Sequence, residues 1–489
     1  MNTLPLRESA FAALPEGFYA RVRPEPLGGV HWVAQNHDLA AEIGLPEDFF
    51  DRPGVLAALG GSAADYRPQP LASVYGGHQF GVYVPQLGDG RAVLLGASDA
   101  PDGRVWEWQL KGAGKTPFSR FADGRAVLRS SIREYLASEA VHGLGIPTTR
   151  ALALVGSPDA VYRERQETAA VLTRLAPCFI RFGHLEYFAR RGREAPLRAL
   201  LDFLLAHYFP AAAAAPHPDS ALFDAMVQNS AELAAAWQSV GFCHGVLNTD
   251  NLSVLGLTID YGPFGFLDAY DKHHVPNRSD REGRYAYGAQ PYIVQWNLSR
   301  AGAAFLPFCA ADDLRAVLED FPRRFQTAYE ARMRAKLGLR TADAGDGQLI
   351  EDLFAALQGR GVDFTLFFRR LSALDSRHGA PLPPDLAALL PDEPLPRLDN
   401  WFGRYRRRLR MEGVPQAEKT AQMNRANPLY ILRNYLLEQA IAQAQNGDFG
   451  EIGRLHRCLS APFEERAGFA DLAAPAPAWA AGICITCSS

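Results

Sequence analysis

Apolar positions alternate along residues 71–175 and recur at helical spacing from about residue 195 onward, so the chain divides into a strand-rich first part and a helix-rich remainder. In the first part QLGDGRAVLLGAS leads from a glycine-rich turn into alternating apolar residues, VWEWQLK alternates across a strand, and LALVGS and ETAAVLTRLA are further short β-rich runs. One helix interrupts them. SSIREYLASEAVHGLG offers Ser130 and Ser131 as N-caps, carries Glu134 near its first turn and closes at Gly143. Later, PLRALLDFLLAHYF, ALFDAMVQNSAELAAAWQSVGF, ADDLRAVLEDFPRRFQTAYEARMRAKLGL, DGQLIEDLFAALQGRG and PLYILRNYLLEQAIAQAQNG carry helical periodicity, most ending near glycine. FPAAAAAPHPDS and AAPAPAWAAG read as exposed connectors. No internal repeat is visible.

Composition narrows the class. At 489 residues the chain can bury the core of an independently stable enzyme and accommodate two to four structural units. With 48% hydrophobic and 21% charged residues it reads as globular throughout. A net charge of −4 gives no global attraction to nucleic acid or to an anionic membrane, so phosphate binding has to be local. No basic leader precedes a long apolar run and no window approaches roughly 18 uninterrupted apolar residues, which makes a cytoplasmic location the default expectation. Six cysteines are too few for a disulfide framework. Cys178, Cys243, Cys309 and Cys458 read as buried apolar thiols, whereas Cys484 and Cys487 form a terminal C-I-T-C whose functional reading is redox sensitivity.

The stretch HGVLNTDN at 244–251 introduces the chemistry. A protein kinase places Asp two residues after the loop His and Asn five residues later, the Asp accepting a proton and the Asn holding magnesium. Here Asn251 keeps its place, Val246 stands where the Asp is expected, and Asp250 lies one residue before the Asn. Lys111 ends the strand WEWQLK and Glu134 follows 23 residues later on the next helix, the order of the ion pair that sets a lysine on nucleotide phosphates. Gly88 and Gly90 of GDGR let backbone N–H groups approach a polyanion and Arg91 adds a planar fork, although a tight Asp-Gly hairpin turn explains the same residues. Asn251 and Asp260 of the DYG triplet, at the end of an apolar strand, are hard ligands suited to magnesium. Arg174 and Arg181, if both face the cleft, add a second phosphate locus beside Asp123 and Gly124.

These elements in this order predict an α+β, protein-kinase-like bilobal fold. A β-rich N-lobe with one key helix spans 71–177 and a mostly helical C-lobe with the catalytic loop and metal site spans 178–335. An N-terminal extension (1–70) packs on that core, a helical extension (336–480) follows it, and 481–489 form a flexible cysteine-containing tail.

SVYGGHQFG, LGDGRA, WEWQLKGAGKTPFSRFADGRAVLRSSIREYLASEA, LTRLAPCFIRFGHLEYFA, GFCHGVLNTDNLSVLGLTIDYGPFGFLDAYD and NPLYILRNYLLEQAI resemble the selenoprotein O family, also called the YdiU family of protein adenylyltransferases, over about residues 65–440. The resemblance implies a pseudokinase that binds ATP in a flipped orientation and, with magnesium or manganese, transfers AMP to Ser, Thr or Tyr hydroxyls of proteins. It implies that Gly88, Gly90, Arg91, Lys111, Asp123, Gly124, Arg174 and Arg181 contact the nucleotide, that Glu134 pairs with Lys111, that Asn251 and Asp260 hold the metal, and that Asp250 is the general base. Cys487 sits at the position of the family's terminal selenocysteine, but DAYDKHHVPNRSDREGRY lacks the cysteine with which some bacterial relatives pair it, leaving Cys484 as the nearest alternative.

Two features stay outside that scheme. RYRRRLR at 404–410 is the strongest basic run and reads as a solvated helix face or a docking surface for an acidic protein, not a nucleic-acid site. His273-His274 reads as a surface loop without a third metal ligand. A monomer is the default expectation, and the partners are ATP and hydroxyl-bearing proteins. A conventional kinase and an inactive ATP-binding scaffold are the rival functions; Val246 weighs against the first, and Asp250, Asn251 and Asp260 against the second.

Overall fold

The computed structural model describes residues 3–486. The strands, in chain order, are β1 (Tyr19–Arg21), β2 (His31–Gln35), β3 (Leu71–Ser73), β4 (Gly77–Gln79), β5 (Val82–Val84), β6 (Ala92–Asp99), β7 (Val105–Lys111), β8 (Ala126–Val127), β9 (Arg150–Tyr162), β10 (Gln166–Ala176), β11 (Phe242–Cys243) and β12 (Gly265–Phe266). Eight of them form one antiparallel sheet in the order β1-β3-β6-β7-β10-β9-β2, with β8 pairing against β10. The first 70 residues therefore supply both edge strands. β4 and β5 form a separate hairpin, and β11 pairs with β12.

The alternation of VWEWQLK has an unexpected outcome. Trp106, Trp108 and Leu110 turn to one side, where they pack with Leu39, Phe49, Val55 and Leu59 of the N-terminal segment. Glu107, Gln109 and Lys111 turn to the other side and are also buried. A strand with one apolar and one polar face usually leaves the polar face in water; here that face looks into the molecule. The register sets Arg174 of β10 opposite Gln109 and Leu172 opposite Lys111, so Arg174 joins the same polar face.

The helix Leu128–Gly143 crosses that face. It begins directly after β8, with Val127 at its cap position and no side-chain cap. Ser130 and Ser131 are thus not its N-caps: they lie inside the first turn, and the Ser130 hydroxyl donates back to the Val127 carbonyl. Gly143 does end the helix, and close packing requires it, since a Cβ there would come 2.1 Å from the Leu459 carbonyl oxygen.

Helices fill the remainder, among them Phe182–Ala189, Glu194–His207, Pro218–Val240, Asp346–Leu357, Pro396–Glu412, Asn434–Gln445 and Gly450–Leu459. The long pattern from 311 to 336 is two helices, Ala311–Glu319 and Phe321–Lys336, divided just before Pro322, whose ring cannot continue a hydrogen-bonded helix. One hydrophobic core joins the inner face of the sheet, the Glu134 helix and the helices from Phe182 to Leu314; another lies in the C-terminal helices between Met333 and Met423. Together these elements make a mixed α+β architecture with an antiparallel sheet.

Four expectations need correction. FPAAAAAPHPDS contains a short helix, Pro210–Ala213, and buries Phe209 and Ala212. No strand leads into Asp260; Leu252, Ser253 and Thr258 make only isolated bridges. In RYRRRLR, Arg404, Arg407 and Arg410 keep a solvated face, but Tyr405 and Arg408 are buried and Arg408 pairs with Asp346 and Glu412, so the other side of the run ties helices together. In the histidine pair, His273 is exposed but His274 is half-buried beside Gly265.

Cys178, Cys243 and Cys458 are buried and Cys309 is half-buried. Cys484 is an exposed free thiol whose Sγ lies 3.1 Å from an Arg278 nitrogen. The expected partner Cys487 lies outside the described residues. Among those residues no helix is long and apolar enough to cross a membrane.

Candidate active site

The polar face of β7 and β10, the Glu134 helix and the loops after β5 and β11 enclose a cavity of about 850 Å³, within the usual range for a small-molecule site. Every residue expected at the site lines it: Gly88, Gly90, Arg91, Lys111, Asp123, Gly124, Glu134, Arg174, Arg181, Asp250, Asn251 and Asp260, together with Val246.

The inner end is a buried ion network. Lys111 Nζ lies 2.6 Å from Glu134 Oε2 and 3.1 Å from Asp260 Oδ1. Arg174 binds Glu134 Oε1 at 2.8 Å and also reaches Asp260 Oδ1, while its other nitrogen meets Gln109. Arg181 holds Asp260 Oδ2 and donates to the Asp250 carbonyl at 3.0 Å. Arg174 and Arg181 are each only 2% exposed, so neither is a surface arginine. Burial alone would raise the Asp260 pKa, but Arg181, Lys111 and Arg174 outweigh it and hold the carboxyl well below its usual range. Burial lowers Lys111, with Asp260 and Glu134 opposing it. Beyond Asp260 and Glu134, the buried carboxyls Asp89 and Asp250 also face Arg181, and Asp89 faces Arg174, so the three cations share an acidic surround of limited solvent access.

Asp260 sits at φ +62, a left-handed conformation unfavourable for a residue with a Cβ. That turn, not a strand, aims its carboxylate at all three cations.

The glycine loop is built by contact. Gly88 has φ +127, and a Cβ there would lie 2.7 Å from the Phe118 ring; a Cβ on Gly90 would lie 3.0 Å from the Phe118 carbonyl. Thr116 Oγ1 donates to the Asp89 carbonyl at 2.7 Å, so the 116–119 turn clamps the loop. GDGR is therefore not a hairpin turn. Asp89 faces inward and accepts from the Ser73 amide at 3.0 Å and the Ser73 hydroxyl at 2.7 Å.

The outer end differs. Arg163 grips the Asp123 carboxylate with both nitrogens at 2.6 and 2.9 Å, and the pair is partly exposed. Asp123 therefore stands at the mouth and not deep beside Arg174 and Arg181. Phe121, at 95% exposure, and Tyr162 flank it.

Asp250 is buried beneath the β4–β5 hairpin. Its Oδ2 accepts from Gln79 Nε2 at 3.0 Å and its Oδ1 has no hydrogen-bond partner. Burial, partly offset by Gln79 and Arg181, pushes it up to about 6 from 3.8. The hairpin docks closely, because a Cβ on Gly77 would lie 2.8 Å from Thr249 Oγ1, and the His78 amide donates to that hydroxyl at 2.7 Å. Gln79 and Asp89 had no assigned role in the sequence reading. The available signal was glycine crowded around polar residues, GGHQFG and LGDGR, which marks backbone that must approach something closely.

Magnesium or manganese takes hard oxygen ligands, and the residues present fit such an ion. Asn251 donates its amide nitrogen to the Val246 carbonyl at 3.1 Å, which leaves Oδ1 as an acceptor; Asp260 and the unpartnered Asp250 Oδ1 line the same cavity. No cluster of three or more His, Cys, Asp or Glu gathers among the described residues, so phosphate oxygens are needed to complete a ligand shell.

For this α+β scaffold with its cation-lined cavity, comparison with known proteins identifies the class as nucleotidyltransferase. The family model of protein adenylyltransferase SelO matches residues 5–460, and the chain belongs to that family. Protein nucleotidyltransferase YdiU of Thioalkalivibrio sulfidiphilus is 48% identical over 487 residues, covering 98% of each chain. The protein of the same name from Thiobacillus denitrificans is 48% identical over 483 residues, 99% of this chain and 98% of its own. That of Burkholderia multivorans is 47% identical over 498 residues, 98% and 95% respectively.

Proposed function

We propose that the protein transfers AMP from ATP to hydroxyl groups of protein side chains and releases pyrophosphate. In this reading the sheet with its Glu134 helix is the N-lobe of a kinase-like pair and the helices from Phe182 onward the C-lobe. The observation that carries it is the cluster of buried cations: Lys111, Arg174 and Arg181 lie at the inner end of the cavity, whereas Arg91, Arg120, Arg125 and the Asp123–Arg163 pair line it nearer solvent with Phe121 and Tyr162. A triphosphate is most stable with its β- and γ-phosphates on the buried cations, the base and ribose towards the mouth and the α-phosphorus nearest the acceptor.

The acceptor, a Ser, Thr or Tyr hydroxyl, attacks the α-phosphorus and its proton goes to Asp250 Oδ1, the oxygen that Gln79 leaves free. The bond from the α-phosphorus to the bridging oxygen breaks, and Lys111, Arg174 and Arg181 hold the charge that accumulates on pyrophosphate. Magnesium or manganese, bound through Asn251 and Asp260, supplies charge neutralisation on the phosphate oxygens. Val246 is then no defect, because the base is needed at 250. Gly88, Gly90 and Arg91 bring backbone amides and a cation to the phosphates, and Asp123 and Gly124 meet the nucleoside.

The test incubates the protein and magnesium with ATP labelled at the α- or the γ-phosphate, using wild type and Asp260→Ala, and follows label on protein with intact mass. Label from the α-position alone, with a mass gain of one AMP that the variant loses, is expected. Label from the γ-position alone would make this a kinase, and neither label despite ATP binding would favour a scaffold.

A further inference from the structure

The β4–β5 hairpin runs from the cavity onto the surface and meets three guanidiniums that outnumber the carboxylate beside them. A Cβ on Gly81 would lie 3.4 Å from the Arg284 guanidinium carbon. Arg190 stacks over the Tyr83 ring at 5.3 Å, and Arg284 and Arg300 both stack over Trp296, at 4.7 and 5.0 Å. Trp296 in turn packs edge-on against His78 at 5.3 Å. The three guanidiniums converge: burial first, then Arg190, Arg300 and Arg284, hold His78 down to about 4.

None of these arginines forms an ion pair within 4 Å among the described residues; of the nearby acids, buried Glu186 feels Arg190 and Arg300 at longer range and Asp280 is engaged by backbone amides. Glu186 Oε2 lies 2.5 Å from His78 Nδ1, and Asp280 accepts from the backbone amides of Arg284 at 3.0 Å and Tyr285 at 2.7 Å. A chain of net charge −4 thus gathers three guanidiniums around one buried carboxylate, Glu186, and leaves positive charge in excess at one place.

That place adjoins Asp250. Phe80 lines the cavity beside Gln79, is 41% exposed and sits at φ +49, held there by its amide hydrogen bonds to Asn248 Oδ1 at 3.2 Å and Tyr285 Oη at 2.9 Å. A bulky side chain in the left-handed region is strained, and strain maintained by specific bonds gathers at working surfaces.

We infer that the face formed by Arg190, Arg284, Arg300 and the Phe80 tip docks the acceptor polypeptide and selects segments with Asp or Glu beside the hydroxyl to be modified. This rests on the proposed AMP transfer. The charge is complementary to an acidic segment, and a chain lying on this face reaches the cavity at the Gln79–Asp250 side.

The test uses three fluorescent peptides with one Ser flanked by Glu, by Gln or by Lys, and follows anisotropy and α-label transfer for wild type, the triple variant R190E/R284E/R300E and the single variant Arg284→Gln. The single variant keeps the test open if the triple one fails to fold. The Glu peptide is expected to bind and react about tenfold better than the Gln peptide, with the ratio shrinking between about 50 and about 300 mM salt. It should shrink in Arg284→Gln and reverse in the triple variant, with KM for ATP unchanged. Equal use of all three peptides, while the protein still labels itself from the α-position, would overturn the docking inference and leave AMP transfer standing. Peptide discrimination with no α-label on any protein would overturn the acceptor role together with the proposed function. Tighter binding of a single-stranded oligonucleotide that does not block peptide labelling would assign the face to nucleic acid and sink the inference.

Discussion

The two ends of the cavity hold the same kinds of ion pair under opposite conditions. At the inner end Lys111, Arg174 and Arg181 surround Asp260 and Glu134 almost without water; at the mouth Arg163 grips Asp123 in partial contact with solvent. A buried charge must be matched or it destabilises the fold, whereas an exposed pair contributes little to stability. The inner network therefore carries weight in the fold, and in the proposed reaction the same cations hold the phosphates.

Removing Asp260 tests the contrast most severely. Asp260→Ala removes the carboxylate that all three buried cations contact, so transfer should disappear and the protein should lose about 3–5 kcal/mol by chemical denaturation. Inorganic triphosphate should restore more stability to the variant than it adds to wild type. A variant as stable as wild type would show that the network is solvated and the contrast false.

Asp250→Asn sharpens the comparison from the other side. Transfer should fall about 10²–10⁴-fold while ATP still binds. The folded carboxyl is raised from 3.8 to about 6, so its contribution to stability is complete below 3.8 and is lost as the pH rises through 6. Asn escapes that loss, and at pH 8 the variant should be more stable than wild type by up to about 3 kcal/mol.

The same carboxyl sets a pH profile. In the proposed reaction ionised Asp250 is the base, so kcat/KM should rise with pH through about 6 and fall about tenfold per unit below it. A profile flat down to pH 5 would remove Asp250 from proton transfer.

The mouth gives the smallest effect. Arg163→Ala should change stability by less than about 1 kcal/mol, because the pair is partly exposed, and raise KM for ATP several-fold with kcat kept. A loss as large as that of Asp260→Ala would erase the distinction between the two ends.

Much of this was legible in the chain, and what was not has physical causes. VWEWQLK reads as a strand with the bounds found, Val105–Lys111, and Lys111 meets Glu134 as their spacing predicts. Alternation alone does not say that the face bearing Glu107, Gln109 and Lys111 turns inward, since that depends on the N-terminal segment covering the other face. The caps assigned to Ser130 and Ser131 failed because β8 runs straight into the helix and the preceding backbone, not a side chain, fixes its start. Asp260 reads as a strand end because the residues before it are apolar; packing, not pairing, makes them so. The roles of Gln79 and Asp89 depend on partners far along the sequence, Asp250 and Gln109 among them, and no local pattern announces those contacts.

The two edge strands also carry a consequence for synthesis. β2 pairs with β9, His31 lying opposite Gly156, so a chain growing from its N-terminus holds one border of its sheet for more than 120 residues before the partner exists. At about 5–20 residues per second that is a wait of roughly 6–25 s, during which an unpaired strand and the apolar segment around it are exposed to other chains. That border is made early in synthesis and waits longest, residue for residue, for its partner strand.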